Sequence, residues 1–358
     1  MFSEIMKSSN NYLPIALSYV GAFVGAGFIS GQELSQFVLK FGLSGWLVWL
    51  MVTITISVAG GFFLSWLSRK KYQSFDQLVI DNFSKSGVWF VNLVINGYLL
   101  GGLIIMVSGS STLLHQVSNL PMWLSVVVIG SLITLVVFGE AERVLKVNTI
   151  LVPILMVITL IVSFLIIKDN LLKFNLFQTI SIKNPSPLLI SPIISYLLYI
   201  GYNAIGAMVA LLNIASETDS KNGFKGGLIG GLIISVLGTM ILLAMWLTYP
   251  SWSNFDLPFT EIVKNNNNLM YLAFVPSILI AMFTVAVAYA LGMTKFLVKK
   301  LGTKIKPTCL VMMIIVSPTA ILGFSKLLGI IYPFFGIMAT LIVIYLLLLF
   351  GVNKLKKI

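Results

Sequence analysis

Two constellations in this chain combine residue types and spacings that invite chemistry. The first is the run GAFVGAGFISGQE from Gly21 to Glu33, which sets Gly21, Gly25, Gly27 and Gly31 in the first strongly apolar segment and ends on a carboxylate. Glycine weakens helices, and in lipid, unwound backbone survives only where protein covers it or where it lines a water-filled cavity. The run therefore reads in one of two ways. It is a spanning helix broken near Gly25 to hold a solute, or it is close helix packing, since Gly21 and Gly25 also satisfy the Gly-x-x-x-Gly pattern. In the broken form, the N–H groups and positive dipole end that restart near Gly27 suit a carboxylate. Glu33 lies eight residues past Gly25, about 12 Å at the helical rise and towards the outside. An ionisable group inside a span is a functional candidate. Glu33, with Ser30, Gln32, Ser35 and Gln36 around it, either loads a proton for coupling or is a structural carboxylate near the outer gate.

The second constellation is Tyr199, Gly201, Tyr202, Asn203 and Gly206 in the middle of another apolar run. An asparagine at that depth must find hydrogen-bond partners. A break at Gly201 would leave free carbonyls suited to an ammonium group, so the two breaks together match the ends of a zwitterion. Tyr202 sits in this expected break. Phe28, Tyr199, Ser108, Ser110 and Ser111 are candidate pocket linings, with ordinary packing as the alternative for each.

The elements that must position these residues are membrane spans. Of the 358 residues, 58% are hydrophobic and only 9% charged, against about 25% charged in soluble domains. Ten segments reach the length of about 20 apolar residues that a span requires: 12–40, 43–68, 87–117, 121–139, 146–167, 187–215, 225–248, 267–295, 307–323 and 327–350. Their apolar runs are continuous rather than alternating, which excludes a β-barrel. With the N-terminus inside, 17 of the 23 Lys and Arg face the cytoplasm and 6 face out, so the positive-inside rule places both termini in the cytoplasm of a cell-membrane protein. The net charge of +12 is then topological and implies no nucleic-acid partner. The polar start runs into apolar sequence without a small-residue cleavage site, which predicts a retained first helix.

One cysteine, Cys309, and one histidine, His115, leave no disulfide and no Cys- or His-rich metal site. No Ser/His/Asp set or phosphate loop is present, so neither an enzyme nor a cofactor is expected. Asn92 and Asn96 are expected to bond between helices. Glu140, Glu142 and Arg143 are expected to pair in one cytoplasmic turn, Glu217 and Asp219 lie in another, and His115 is expected as a solvated or capping residue at the outer end of its span. The connections 168–186 and 249–266 are long, the second with room for a short helix. The chain reads as one domain. Five spans separate the two expected breaks, so halves 1–167 and 168–358 would enter the membrane with opposite orientation, the pattern of an inverted-repeat transporter.

The run from Gly21 to Gly27 resembles the unwound first helix of the amino acid–polyamine–organocation superfamily, whose architecture is the LeuT fold. YIGYN from Tyr199 to Asn203 resembles that superfamily's broken sixth helix. More narrowly, VGAGFISGQE is similar to the YkvI-type membrane proteins, an amino-acid permease family. The resemblance implies an all-α membrane protein with discontinuous first and sixth helices. It further implies a substrate site at Gly25, Ala26, Gly27, Phe28, Tyr199, Gly201, Tyr202 and Asn203. A Na⁺ site as in sodium-coupled members would fall on Gly21, Val24, Ala281 and Thr284, with Val285 where a second hydroxyl often stands. Many permeases of the superfamily carry glutamate at the position of Asn203. The Asp-Pro-Gly and Met-Pro-His signatures of the metal-ion branch are absent, which argues against divalent metals. The expected function is symport of an amino acid or similar zwitterion with Na⁺ or H⁺. A transporter-like receptor that binds without flux is the alternative, and a channel comes third. Nothing in the sequence bears on oligomeric state.

Overall fold

A computed structural model describes residues 12–72, 75–139, 141–173, 175 and 178–355. They form an all-helical membrane protein. Eight helical stretches among them are long and apolar enough to cross a bilayer, and two shorter apolar helices, Leu13–Phe23 and Ile305–Ala320, overlap the first and ninth expected spans. In chain order the helices are α1 (Leu13–Phe23), α2 (Ala26–Ile29), α3 (Gln32–Phe37), α4 (Leu43–Ile54), α5 (Gly60–Lys70), α6 (Phe75–Asn82), α7 (Lys85–Ser118), α8 (Met122–Gly139), α9 (Ala141–Asn170), α10 (Pro192–Glu217), α11 (Ser220–Leu247), α12 (Pro258–Asn266), α13 (Asn268–Leu301), α14 (Ile305–Ala320) and α15 (Phe324–Leu355). A π-helical turn, Thr55–Ala59, joins α4 to α5 into one span.

Local chemistry sets the helix ends. The Ser191 hydroxyl accepts the Ile194 N–H ahead of Pro192 at the first turn of α10. Asp219 accepts two backbone N–H groups at the start of α11, and Asn267 does the same for α13. Such caps satisfy donors that a helix start leaves orphaned. The short helix anticipated in the 249–266 connection is α12. Helix α6, in the turn before α7, was not anticipated, because eight residues of mixed character carry little periodic signal.

The first span is interrupted where its glycines suggested. Helix α1 ends at Phe23, Val24 and Gly25 leave helical geometry, and α2 restarts at Ala26. Gly31 then takes a left-handed conformation, φ 75°, which turns the chain between α2 and α3. The sixth span overturns its expectation, since α10 runs unbroken from Pro192 to Glu217. Gly201 serves packing instead. A Cβ there would lie 2.7 Å from the Gly336 carbonyl and 2.9 Å from the Thr340 N–H of α15, and one at Gly336 would lie 2.5 Å from the Leu198 carbonyl. The two helices cross with their backbones nearly touching, the small-residue contact that lipid-embedded helices favour.

Two smaller expectations change as well. Asn96 donates to the Asn92 carbonyl four residues back on its own helix, at 2.7 Å, and Asn92 itself is exposed, so neither bridges helices. Asp219 caps α11. The side chains of Glu140, Glu142, Arg143 and Glu217 lie outside the described residues.

Candidate functional site

Glu33 organises the centre of the molecule. It is 2% exposed, and the buried polar residues Ser30, Gln32, Ser35 and Gln36 surround it in sequence. The sequence placed it a helical distance from the break, but the left-handed turn at Gly31 brings it back. Its Oε1 occupies the space where a Cβ on Gly27 would stand. The carboxylate therefore lies against the restarted helix α2 rather than remote from it. The Tyr332 hydroxyl, from α15, donates to Oε1 at 2.8 Å, and the Tyr199 hydroxyl, from α10, donates to Oε2 at 3.5 Å. Among the described residues no lysine, arginine or histidine pairs with it; the ion pair there is Lys183–Asp256, at 3.3 Å.

Aromatic rings wall this centre. Tyr199 packs on Phe37 and Phe23, with centroids 5.1 and 6.0 Å away, and Phe28 packs on Phe23. Tyr202 stacks on Tyr332 at 3.7 Å, and Tyr98 of α7 lies 4.9 Å from Tyr202. Tyr289 of α13 closes the row, 6.1 Å from Tyr98. Sequence reasoning found Phe28, Tyr199 and Tyr202. It missed Tyr98, Tyr289 and Tyr332, whose one signal was a tyrosine at mid-span depth.

At the break itself, the Gly25 N–H turns to the Phe23 carbonyl at 3.0 Å, which releases the Gly21 carbonyl from the helical ladder. Gly21 and Gly25 both face open space, whereas Ala26, Gly27 and Phe28 are buried. Ala281 and Thr284 are buried on α13, which packs beside α2. The Thr284 hydroxyl lies within hydrogen-bonding distance of the Ile280 and Ala281 carbonyls of its own helix, at 2.9 and 3.0 Å, a common role for such a residue. Asn203 likewise donates to the Tyr199 carbonyl, at 3.0 Å. Gly201, at the crossing with α15, contributes no backbone opening to the site.

A hydrogen-bonded latch lies between Glu33 and the membrane face that carries residues 178–190 and 249–257. Gln32 donates to the Ser325 hydroxyl at 2.8 Å, and Ser325 donates to the Lys183 carbonyl at 3.1 Å. The Gln36 amide donates to the Asn184 carbonyl at 2.9 Å and accepts the Ser186 N–H at 3.0 Å. Lys40 donates to the Ser186 and Leu189 carbonyls at 2.7 and 3.0 Å. The loop 183–189 is thus tied to α3 through backbone carbonyls that would otherwise need water.

Among solved structures with this arrangement, Mhp1, a nucleobase-cation-symport-1 family transporter in a closed conformation with bromovinylhydantoin bound, matches with TM-score 0.61 over 92% of this chain and 74% of its own, at 14% identity. MhsT in complex with L-phenylalanine matches with TM-score 0.56 over 91% and 87%, also at 14% identity. Both are LeuT-fold transporters. This chain has the LeuT fold. In sequence it is similar to the membrane protein YkvI of Bacillus subtilis (strain 168), 25% identical over 334 residues that cover 92% of this chain and 93% of that one. It is also similar to YyaD of the same organism, 23% identical over 351 residues, 95% and 97% of the two chains. No protein-family model matches. The fold and the YkvI likeness agree with the resemblance read from the glycine run.

Proposed function

We propose that the protein is a secondary active transporter of an amino acid or similar small zwitterion, working by alternating access and coupled to H⁺ or Na⁺. The observation that carries this reading is the Glu33 carboxylate, buried without a cationic partner against the interrupted first span. A carboxylate in a membrane interior costs about 2.5–3.5 kcal/mol or more, so such a group marks a functional site. In this reading the ten helical segments form two inverted halves, 1–167 and 168–358, in a cell membrane with both termini cytoplasmic. The substrate carboxylate meets the N–H groups at the start of α2, beside Gly25, Ala26 and Gly27. Because α10 is continuous, the freed Gly21 carbonyl takes over as acceptor for the ammonium, or for Na⁺ together with Val24, Ala281 and Thr284. Phe28, Tyr199, Tyr202 and Asn203 shape the pocket. Glu33 carries the coupling proton in the H⁺ form of the model. MhsT, which shares the fold, binds an amino acid in its solved complex, and this supports the substrate class.

The test is uptake of a labelled amino-acid panel into proteoliposomes, under an imposed Na⁺ gradient and separately under a pH gradient. Accumulation above equilibrium with one gradient is the expected result and names the ion. Binding without flux would turn the reading into a receptor, and no binding would refute the zwitterion.

A further inference from the structure

We propose that the groove between α8 and α14 holds an acyl chain of an anionic phospholipid, whose phosphate is received by Lys304 and Lys306 at the groove's end. Neither helix contributes to the surroundings of Glu33 described above, and lipid binding here is independent of solute transport.

Helical periodicity builds the groove. On α8, Trp123, Val127 and Leu135 recur on one face and are exposed, and on α14, Leu310, Ile314 and Ile321 do the same. These two ridges flank a floor that includes Gly130 and Met313, both buried. A Cβ on Gly130 would stand 2.8 Å from the Ser317 hydroxyl oxygen, so the missing side chain lets the two helices meet closely beneath the ridges. The space between them is about 550 Å³. From Leu310 to Ile321 the groove extends roughly 16 Å at the helical rise, close to half of a bilayer's apolar core of about 30 Å. That is the depth one leaflet's chains fill.

Lipid tails are as apolar as the groove, so burying a chain there selects no lipid by itself. The selective element is charge. Residues 295–306 carry five lysines, Lys295, Lys299, Lys300, Lys304 and Lys306, and no carboxylate. All five are exposed, and among the described residues none is in an ion pair. Lys306 lies over the Phe138 ring at the groove's end, its Nζ 5.9 Å from the centroid. A cation–π contact holds the ammonium there and leaves its hydrogens for a phosphate oxygen. Lys304 stands two residues earlier, at the start of α14. A second copy of the chain fits this face less well. A two-fold contact across the groove, between copies sharing one membrane orientation, would bring the two lysine clusters together, whereas an anionic lipid neutralises them.

The experiment reconstitutes the full-length protein in vesicles of equal parts phosphatidylglycerol and phosphatidylethanolamine, then counts the lipids it retains by native mass spectrometry after mild delipidation. The unmodified protein should retain phosphatidylglycerol in preference to phosphatidylethanolamine. In the double variant Lys304→Gln/Lys306→Gln that preference should fall by about fivefold per lysine. Lys264→Gln, which neutralises an exposed lysine of α12, should leave it unchanged. Ile314→Trp and Ser131→Phe fill the groove from its exposed rim, and each should lose the retained lipid whichever head group it carries. Melting temperatures of the variants separate a filled groove from a lost fold. Equal retention of the two lipids by the unmodified protein, or a preference that survives the lysine substitutions, would overturn the proposal. A dimer that forms without bound lipid and is lost in Ile314→Trp would also overturn it, and would assign the groove to a second copy.

Discussion

The first and sixth spans carry the same sequence signal, glycines beside aromatic residues at mid-membrane depth, yet they fold differently. In the first span an added Cβ at Gly25 meets nothing within 4 Å, and the helix opens there. In the sixth, Gly201 lies against the backbone of α15, and α10 stays helical. What separates them is the neighbour. A glycine beside open space frees backbone polar groups for a ligand, whereas one beside another helix allows a close crossing. The composition of a span cannot distinguish these outcomes; its partner helix does.

The largest expected effect breaks this comparison directly. Gly201→Leu must push α15 away and should destabilise the fold by about 3 kcal/mol or more, beyond the usual overpacking range. Gly25→Leu should leave the melting temperature nearly unchanged and abolish solute binding. Thermal melting in detergent alongside a binding assay checks both, and similar losses of stability in the two variants would erase the distinction.

Next in size is Tyr332→Phe. Removing a hydrogen bond to a charged group costs about 1.5–3 kcal/mol, so uptake should fall roughly tenfold or more while the protein remains folded. Uptake rates in proteoliposomes measure it. Smallest is Asp219→Ala, which removes the cap of α11 and should cost about 1 kcal/mol. The backbone N–H of Asn222, followed by the Asn222 side chain and the Lys221 N–H and charge, holds the Asp219 carboxyl below the usual carboxylate range. Its contribution is therefore present above the unfolded-state pKa and fades as pH falls through the folded one. The melting difference between the variant and the unmodified protein should shrink in acid, and a difference independent of pH would place the effect elsewhere.

Much of the fold was legible because a bilayer leaves few choices. Continuous apolar runs of sufficient length must be helices, and the structure has a helix in each segment that hydropathy marked. The break at Gly25 was readable because two freed residues and a following left-handed glycine leave a dense glycine run. Less of the site was legible. The position of Glu33 depends on the reversal at Gly31, which a straight helical ruler cannot anticipate. Its partners, Tyr199 and Tyr332, lie 166 and 299 residues away in sequence. The latch uses backbone carbonyls of 183–189, which carry no side-chain signature. Asn96, expected to bond between helices, and Asn203, expected in the solute site, each donate to a carbonyl of their own helix, because the carbonyl four residues back is within reach of a short polar side chain.

The most direct test of Glu33 as the coupling group is the pH dependence of solute uptake in proteoliposomes, compared between the unmodified protein and Glu33→Gln. The account predicts uptake that changes with pH in the unmodified protein and a flat profile in the variant. An unchanged pH profile in Glu33→Gln would contradict it and return the carboxylate to a structural role.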